Sequence, residues 1–520
     1  MSNEKPGAEA IAPNAKRLLA AGFTAILATG VGFAIRGGVL GQWAHQFGFT
    51  MSELGTITGG GLTGFGLVII LSSFIAEKVG YGKLMVLAVL MHLISAVLTL
   101  ATPAFFASGG KDAAYWCLFS AMFIFSIGNG VCEAVVNPLT ATLFPKKQTH
   151  YLNILHAGWP AGLVIGSVLS ALMAARTDDA GNTISEAIDW KIQMSLFLLP
   201  VIAYGVMLWG QKFPKSEAAH AGVTLKQMLF SVFAPLMLVL IVIHAMVGYV
   251  ELGTDSWISK ITGAIMFSPM KGLMLFSYTS LLMFVLRFFA GPIVHRISPI
   301  GLLLGGAALG CIGLQLLGNA TSVAMCVVAA TVYACGKTFL WPTMLAVTSE
   351  RFPRAGAIAI GLIGGVGMLS AGLIGGPAIG FQQDSNASQH LQAASASTYE
   401  RYRAENENTF AGFKTIGLDG AKVGVLDDNG KELDRVSALL KEQHKTDKNQ
   451  DKLDAWWATA KPFAKADKPL VDDAGLHGGK TALKLTSIVP AILALCFLTL
   501  LIYFKSIGGY RALRIDEGKH

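Results

Sequence analysis

Apolar stretches of about 20 residues, the length of helix that crosses the hydrocarbon of a bilayer, recur along this chain from Leu18 to Phe504. Windows of about 19 residues predict crossings at 18–42, 54–76, 83–107, 114–143, 152–174 and 192–210. Six more follow at 228–250, 270–294, 299–318, 321–345, 356–382 and 484–506. The fold class this implies is an all-α membrane protein of twelve transmembrane helices in two six-helix halves. The expected division is 1–210 for the N-terminal half, 211–227 for a connector and 228–382 for helices 7 to 11. Residues 383–480 form a polar insertion and 481–520 carry helix 12 and a tail.

Composition supports lipid as the solvent. Hydrophobic residues make up 53% of the chain and charged ones only 14%, where soluble domains carry about 25% charged residues. The 59 glycines suit helices that pack closely in a membrane. All six cysteines fall in apolar segments without a C-x-x-C pair, which implies neither a disulfide framework nor a zinc site. The polar residues Met1 to Arg17 precede an apolar segment too long and glycine-interrupted for a cleaved signal peptide, and we expect that segment to be the first membrane helix.

Short cytoplasmic loops retain basic residues. With both termini inside, about 17 Lys and Arg fall on inner segments and about five on short outer loops: Lys111, Arg176, Lys191, Lys260 and Lys271. Both termini are therefore assigned to the cytoplasm. The net charge of +8 belongs to these inner loops. No Arg-rich stripe or stacking platform accompanies it, which excludes nucleic acid as a partner.

The stretch from Gln382 to Lys480 holds about 14 basic and 16 acidic residues and falls outside. Within it, 423–433 reads as a β-hairpin around Asp428-Asn429-Gly430, and 436–444 and 453–463 read as short helices. A small folded cap is expected there.

The halves echo one another. Helix 4 carries Glu133 five positions before Pro138 and ends in Phe144-Pro145-Lys146; helix 10 carries Lys337 five positions before Pro342 and ends in Phe352-Pro353-Arg354. Ile75-Ala-Glu77-Lys78-Val-Gly80 is echoed by Ile293-Val-His295-Arg296-Ile-Ser298. Parallel halves of this kind enclose a substrate site near the bilayer midplane, and the repeat predicts that Glu133 and Lys337 face one another across it.

Charged groups within membrane helices mark functional sites, because burying them costs several kcal/mol. Arg36, Glu133 and Lys337 are the deep ones, with Glu251 at the outer end of helix 7 and Arg287 toward the inner end of helix 8. Glu133 is the candidate proton carrier. Arg36, with five donors in a fixed fork, suits an anionic group or several sugar hydroxyls. His156 shares a helix face with Asn153 and is extended by Trp159, a wall fitted to a sugar. Tyr249 and Trp341 are further aromatic candidates, the latter beside a proline that frees backbone groups to line a cavity. His92 and His244 read as structural polar residues.

Gly128-Asn-Gly130-Val-Cys-Glu133-Ala-Val-Val-Asn137-Pro138, followed by Asn153-Ile-Leu-His156 and Gly162, resembles the L-fucose and proton symporter family of the major facilitator superfamily. Tyr249-Val-Glu251-Leu-Gly253-Thr-Asp-Ser-Trp257 is similar to that family's helix 7. The resemblance implies that Glu133 takes part in sugar recognition and proton coupling, that Asn137 and Asn153 match polar positions, and that Glu251 and Tyr249 sit near the site. Helix 1 departs from the family: Arg36 stands in a stretch where the fucose transporters carry an aspartate. What is implied is proton-coupled import of a sugar or polyol by a monomer in the bacterial inner membrane, with lipid, substrate and protons as partners and no cofactor. The alternatives are an organic-anion or sugar-acid carrier and a non-transporting sensor. No nucleophile elbow, phosphate loop or metal-ligand cluster suggests an enzyme.

Overall fold

A computed structural model describes residues 12–49, 51–174, 176–177, 183–185, 187–442, 448–513 and 515. Most of the polar segment before helix 1, the end of the expected helix at 436–444 and the last residues of the tail lie outside the described residues.

Lipid offers no hydrogen bonds, so a spanning segment must satisfy its backbone internally, and helices do so. Among the described residues, eleven continuous helical stretches are long and apolar enough to cross a bilayer. One of them, Tyr81–Leu143, runs for 63 residues and is broken at Gly110, whose φ of 68° no helix can hold, so it makes two crossings. The total is twelve. Helices 1 and 2 are Ala15–Phe47 and Met51–Val79, and helices 3 and 4 are the two parts of Tyr81–Leu143. Helices 5 and 6 are Pro145–Met173 and Trp190–Leu208, helix 7 is Pro235–Ile265, and helix 8 begins with Pro269–Arg287. Ala290–Asn319 turns at Ser298 (φ 66°), which separates the end of helix 8 from helix 9. Helix 10 is Val323–Arg351, helix 11 is Pro353–Ala394, and helix 12 closes Lys448–Ser506.

The internal repeat is visible in the backbone. Helix 4 ends at Phe144 with φ −132° and ψ 57°, and helix 10 ends at Phe352 with φ −127° and ψ 55°. Each phenylalanine then leads into a short 3₁₀ turn begun by proline. Gly80 and Ser298, matched in sequence after helices 2 and 8, both adopt positive φ, 90° and 66°. Helix 2 packs on helix 11, and helix 5 on helix 8. The first contact is so close that a Cβ at Gly66 would lie 2.8 Å from the Gly365 carbonyl oxygen.

Two expected boundaries change. Helix 7 does not run over 228–250. Leu225–Val232 is a separate short helix closed by a Thr224–Gln227 capping box, and Pro235 opens the membrane helix. Glu251 therefore lies at mid-membrane depth and not at the outer end. Its charge, with that of Asp255, lowers the hydropathy of any window that includes it, although both charges are neutralised inside the bundle. Helices 11 and 12 also overrun the expected limits. Gly376–Ala394 and Ala464–Thr486 continue beyond the membrane bundle as a packed pair, and a Cβ at Gly478 would lie 2.5 Å from the Gln383 carbonyl oxygen.

The insertion folds on this stalk around its own core of Leu391, Tyr402, Leu426, Leu433, Trp457 and Val471. Buried Asp467 accepts hydrogen bonds from Arg401 Nε at 2.8 Å and Thr398 Oγ1 at 3.0 Å. The expected hairpin at 423–433 is instead two helices, Gly420–Asp427 and Lys431–Glu442, joined by a turn in which Asn429 and Gly430 take positive φ. Asn-Gly satisfies the φ that a tight turn demands, whichever elements it joins. The hairpin of this region pairs Asn408–Phe410 with Phe413–Thr415. The helices expected at 436–444 and 453–463 are found as Lys431–Glu442 and Lys448–Ala460.

Because the cap has its own core, replacing Ser395 to Phe463 by a short Gly/Ser linker is expected to leave the membrane domain folded. Loop closure changes by only about 1 kcal/mol for such a change of length. Size-exclusion profile and thermal unfolding in detergent check this, and aggregation of the shortened chain would show that the bundle needs the cap.

Candidate functional site

Prolines build the centre of the molecule. Pro160 in helix 5 lacks the N–H that would bond the His156 carbonyl, and Pro342 in helix 10 lacks the one that would bond the carbonyl of Thr338. The helices break there, at Ala157 and at Thr338-Phe339. One side chain from helix 8 serves both carbonyls: Arg287 donates Nη1 to His156 O and Nε to Thr338 O, the latter at 3.0 Å. Its Nη2 donates to Glu251 Oε1 of helix 7 at 2.9 Å. Arg287 is only 1% exposed, so its charge must be balanced inside the bundle, and Glu251 balances it.

Glu251 sits in a π-helical stretch, Tyr249–Gly253, packed on a second one in helix 11, Ala371–Gly375. Wider turns of this kind concentrate at functional sites. One helical turn beyond Glu251, Asp255 takes the ammonium of Lys337. The Tyr333 ring lies 5.1 Å from that ammonium, and the Tyr333 hydroxyl donates to the Val250 carbonyl at 2.6 Å.

On the N-terminal side, Asn137 Nδ2 donates to Glu133 Oε2 at 2.6 Å, and Asn137 Oδ1 meets His156 Nε2 at 2.9 Å. Residues i and i+4 of helix 4 thus share a face. Among the described residues, the one cation within ion-pair distance of Glu133 is His156 Nε2, at 3.9 Å, which counts only if protonated. Asn153 donates across the halves to Thr343 Oγ1 at 3.2 Å. Glu133, Asn137, Asn153 and His156 are thereby brought together with Glu251 of the opposite half through Arg287.

Other predicted residues lie elsewhere. Lys337 does not face Glu133: it packs between helices of its own half because Asp255 supplies its counter-charge there. Arg36 does not balance Glu133 and joins no ion pair among the described residues. Its guanidinium lies 3.7 Å from the centre of the Phe125 ring and 5.3 Å from that of Phe197, and it donates to Ser95 Oγ at 3.3 Å, all within the N-terminal half. Cation–π contact takes the place of a carboxylate. Trp159 packs on Phe33 with centroids 5.3 Å apart, Trp341 lies tilted against His244 with centroids 4.6 Å apart, and Tyr249 is buried beside Thr486 and Gln382. His92 bonds Tyr204 and Asn129 with its two ring nitrogens, as a structural histidine would. Arg287 and Asp255 are the residues that sequence reasoning left out of the site. Asp255, four positions after Glu251 on the same face, carried a usable signal. Arg287 is visible as a membrane charge, but its partners are not.

The sequence profile of the Major Facilitator Superfamily matches residues 22–376. The chain belongs to this superfamily. It is a multi-pass integral membrane protein of a family of transporters, not enzymes. A search of curated proteins finds no matching sequence. Among solved structures, the major facilitator transporter FucP in its outward conformation is 16% identical, with a TM-score of 0.56 over 73% of this chain and 92% of that one. The proton:xylose symporter XylE, bound to 6-bromo-6-deoxy-D-glucose, is 15% identical, with a TM-score of 0.56 over 70% and 87%. The human organic anion transporter MFSD10 is 12% identical, with a TM-score of 0.57 over 94% and 100%. At these identities the likeness establishes the fold, and the chain resembles the fucose symporter in its helix 4 motif as well.

Asp255→Asn should destabilise the protein by about 3–5 kcal/mol, because it leaves the Lys337 charge buried and unpaired. Adding Lys337→Met should recover most of the loss. Thermal unfolding of the two single variants and the double variant measures the coupling, and additive losses would show that the pair is not an energetic unit.

Proposed function

We propose that the chain imports a neutral sugar or polyol together with protons, by alternating access of its two halves, in a bacterial plasma membrane with both termini in the cytoplasm. One observation carries this reading. Three acids, Glu133, Glu251 and Asp255, meet two bases, Arg287 and Lys337, and the bases pair with Glu251 and Asp255. Glu133 is left with an amide as its closest partner. A proton is the counter-charge that remains for it, and a carboxyl that exchanges protons between two sides of a membrane couples transport to the gradient. Asn137, His156 and Asn153 supply the donors and acceptors that hydroxyls require. The fold shared with a fucose:proton symporter and with a sugar-bound proton:xylose symporter agrees with this chemistry.

The anion-carrier alternative keeps one support, the unpaired Arg36, and loses Lys337, whose charge is neutralised.

In vesicles with an imposed pH gradient, Glu133→Gln is expected to abolish concentrative uptake while sparing exchange of substrate down its own gradient. The substrate is first chosen by thermal stabilisation against a panel of neutral and acidic sugars, since ligand at a hundred times its Kd adds about 2.7 kcal/mol. Accumulation by the variant as steep as in the unaltered protein would move coupling to another residue, and stabilisation by acidic sugars alone would favour the anion carrier.

A further inference from the structure

Arg287 spends its three kinds of nitrogen on three helices: Nη1 on helix 5 of the N-terminal half, Nε on helix 10 and Nη2 on helix 7 of its own half. Only the first of these bonds crosses between the halves, and it ends on the carbonyl of His156, whose ring is held by Asn137 and so by Glu133. Glu133 and Arg287 also stand close enough to act on each other electrostatically. The charges facing this guanidinium are Glu251 and Asp255 from helix 7 and Glu133 from helix 4. Lys337 of helix 10 is paired with Asp255, and His244 of helix 7 and Arg287 itself bear on His156.

We propose that Arg287 is the positioning residue that carries the charge state of Glu133 to the C-terminal half, holding the halves together at mid-membrane while Glu133 is ionised and letting them part when it is protonated. The proposal rests on the proton-coupled reading above. With Glu133 ionised, the guanidinium is drawn toward both halves, by Glu133 on one side and by Glu251 and Asp255 on the other. With Glu133 neutral, the carboxylates that attract it all belong to its own half. The bond to the His156 carbonyl is then a single contact with a neutral acceptor, and water entering between the halves competes for it. Reaching three helices at once needs a planar fork of donors; lysine, a single point donor, cannot reproduce it.

The test needs no substrate. Spin labels at the exposed positions Ser108, next to the break between helices 3 and 4, and Thr321, in the loop before helix 10, one in each half, report the separation of the halves in nanodiscs across a pH series, in a chain whose native cysteines are replaced. The otherwise unaltered protein should shift its distance distribution with pH. E133Q should stay in the low-pH distribution at every pH. R287K should lose the pH response while remaining folded, and R287Q combined with E251Q, which removes both members of the pair, should do the same if R287K fails to fold. A residue that merely stabilised the bundle would lower the unfolding temperature and leave the pH response intact. An R287K response equal to that of the unaltered protein, with E133Q unresponsive, overturns the role of Arg287 alone. A pH-independent distribution in the unaltered protein overturns the proton-coupled reading and this proposal with it.

Discussion

Two carbonyls without helical partners and one guanidinium to serve them set the arrangement at the centre of this protein. In lipid a carbonyl freed by proline must find another donor, and Pro160 and Pro342 free such groups on opposite halves. Arg287 answers both. Its charge then demands a buried acid, which Glu251 provides from a widened stretch of helix 7. Asp255, one turn further along the same face, neutralises Lys337. Each charge in the C-terminal half therefore follows from the one before it, beginning with backbone geometry.

The halves repeat in backbone and differ in side chains. Phe144 and Phe352 have almost the same dihedral angles, and Gly80 and Ser298 share a positive φ. Yet Glu133 and Lys337, matched in the repeat, find unlike partners: Glu133 an amide on its own helix, Lys337 an acid on the neighbouring helix. A repeat fixes where a position lies along a helix, while the counter-charge that a side chain selects depends on neighbours that have diverged. The consequence, among the described residues, is an acid bonded to an amide on one side of the midplane and charges in ion pairs on the other.

Much of this was legible in the sequence, for identifiable reasons. The crossings were found because each must be apolar over its whole length. Helix 7 was misread because hydropathy counts Glu251 and Asp255 as polar, whatever neutralises them. Glu133, Asn137 and His156 were legible because a family motif running through helices 4 and 5 points at all three, and His156 also shares a helix face with Asn153. Arg287 was not, since its acceptors come from backbone positions 131 and 51 residues away, and no local pattern connects them. In the cap, Asn429-Gly430 correctly signalled a turn, but turn chemistry does not reveal whether helices or strands flank it.

The cap belongs mechanically to one half. Its stalk, Gly376–Ala394 with Ala464–Thr486, packs on the outer part of helix 7 and on helix 9. A Cβ at Gly479 would lie 3.1 Å from Ile261, and one at Gly318 would lie 2.8 Å from the Lys480 carbonyl oxygen. These partners all lie in the C-terminal half, so the cap is fixed by packing to that half.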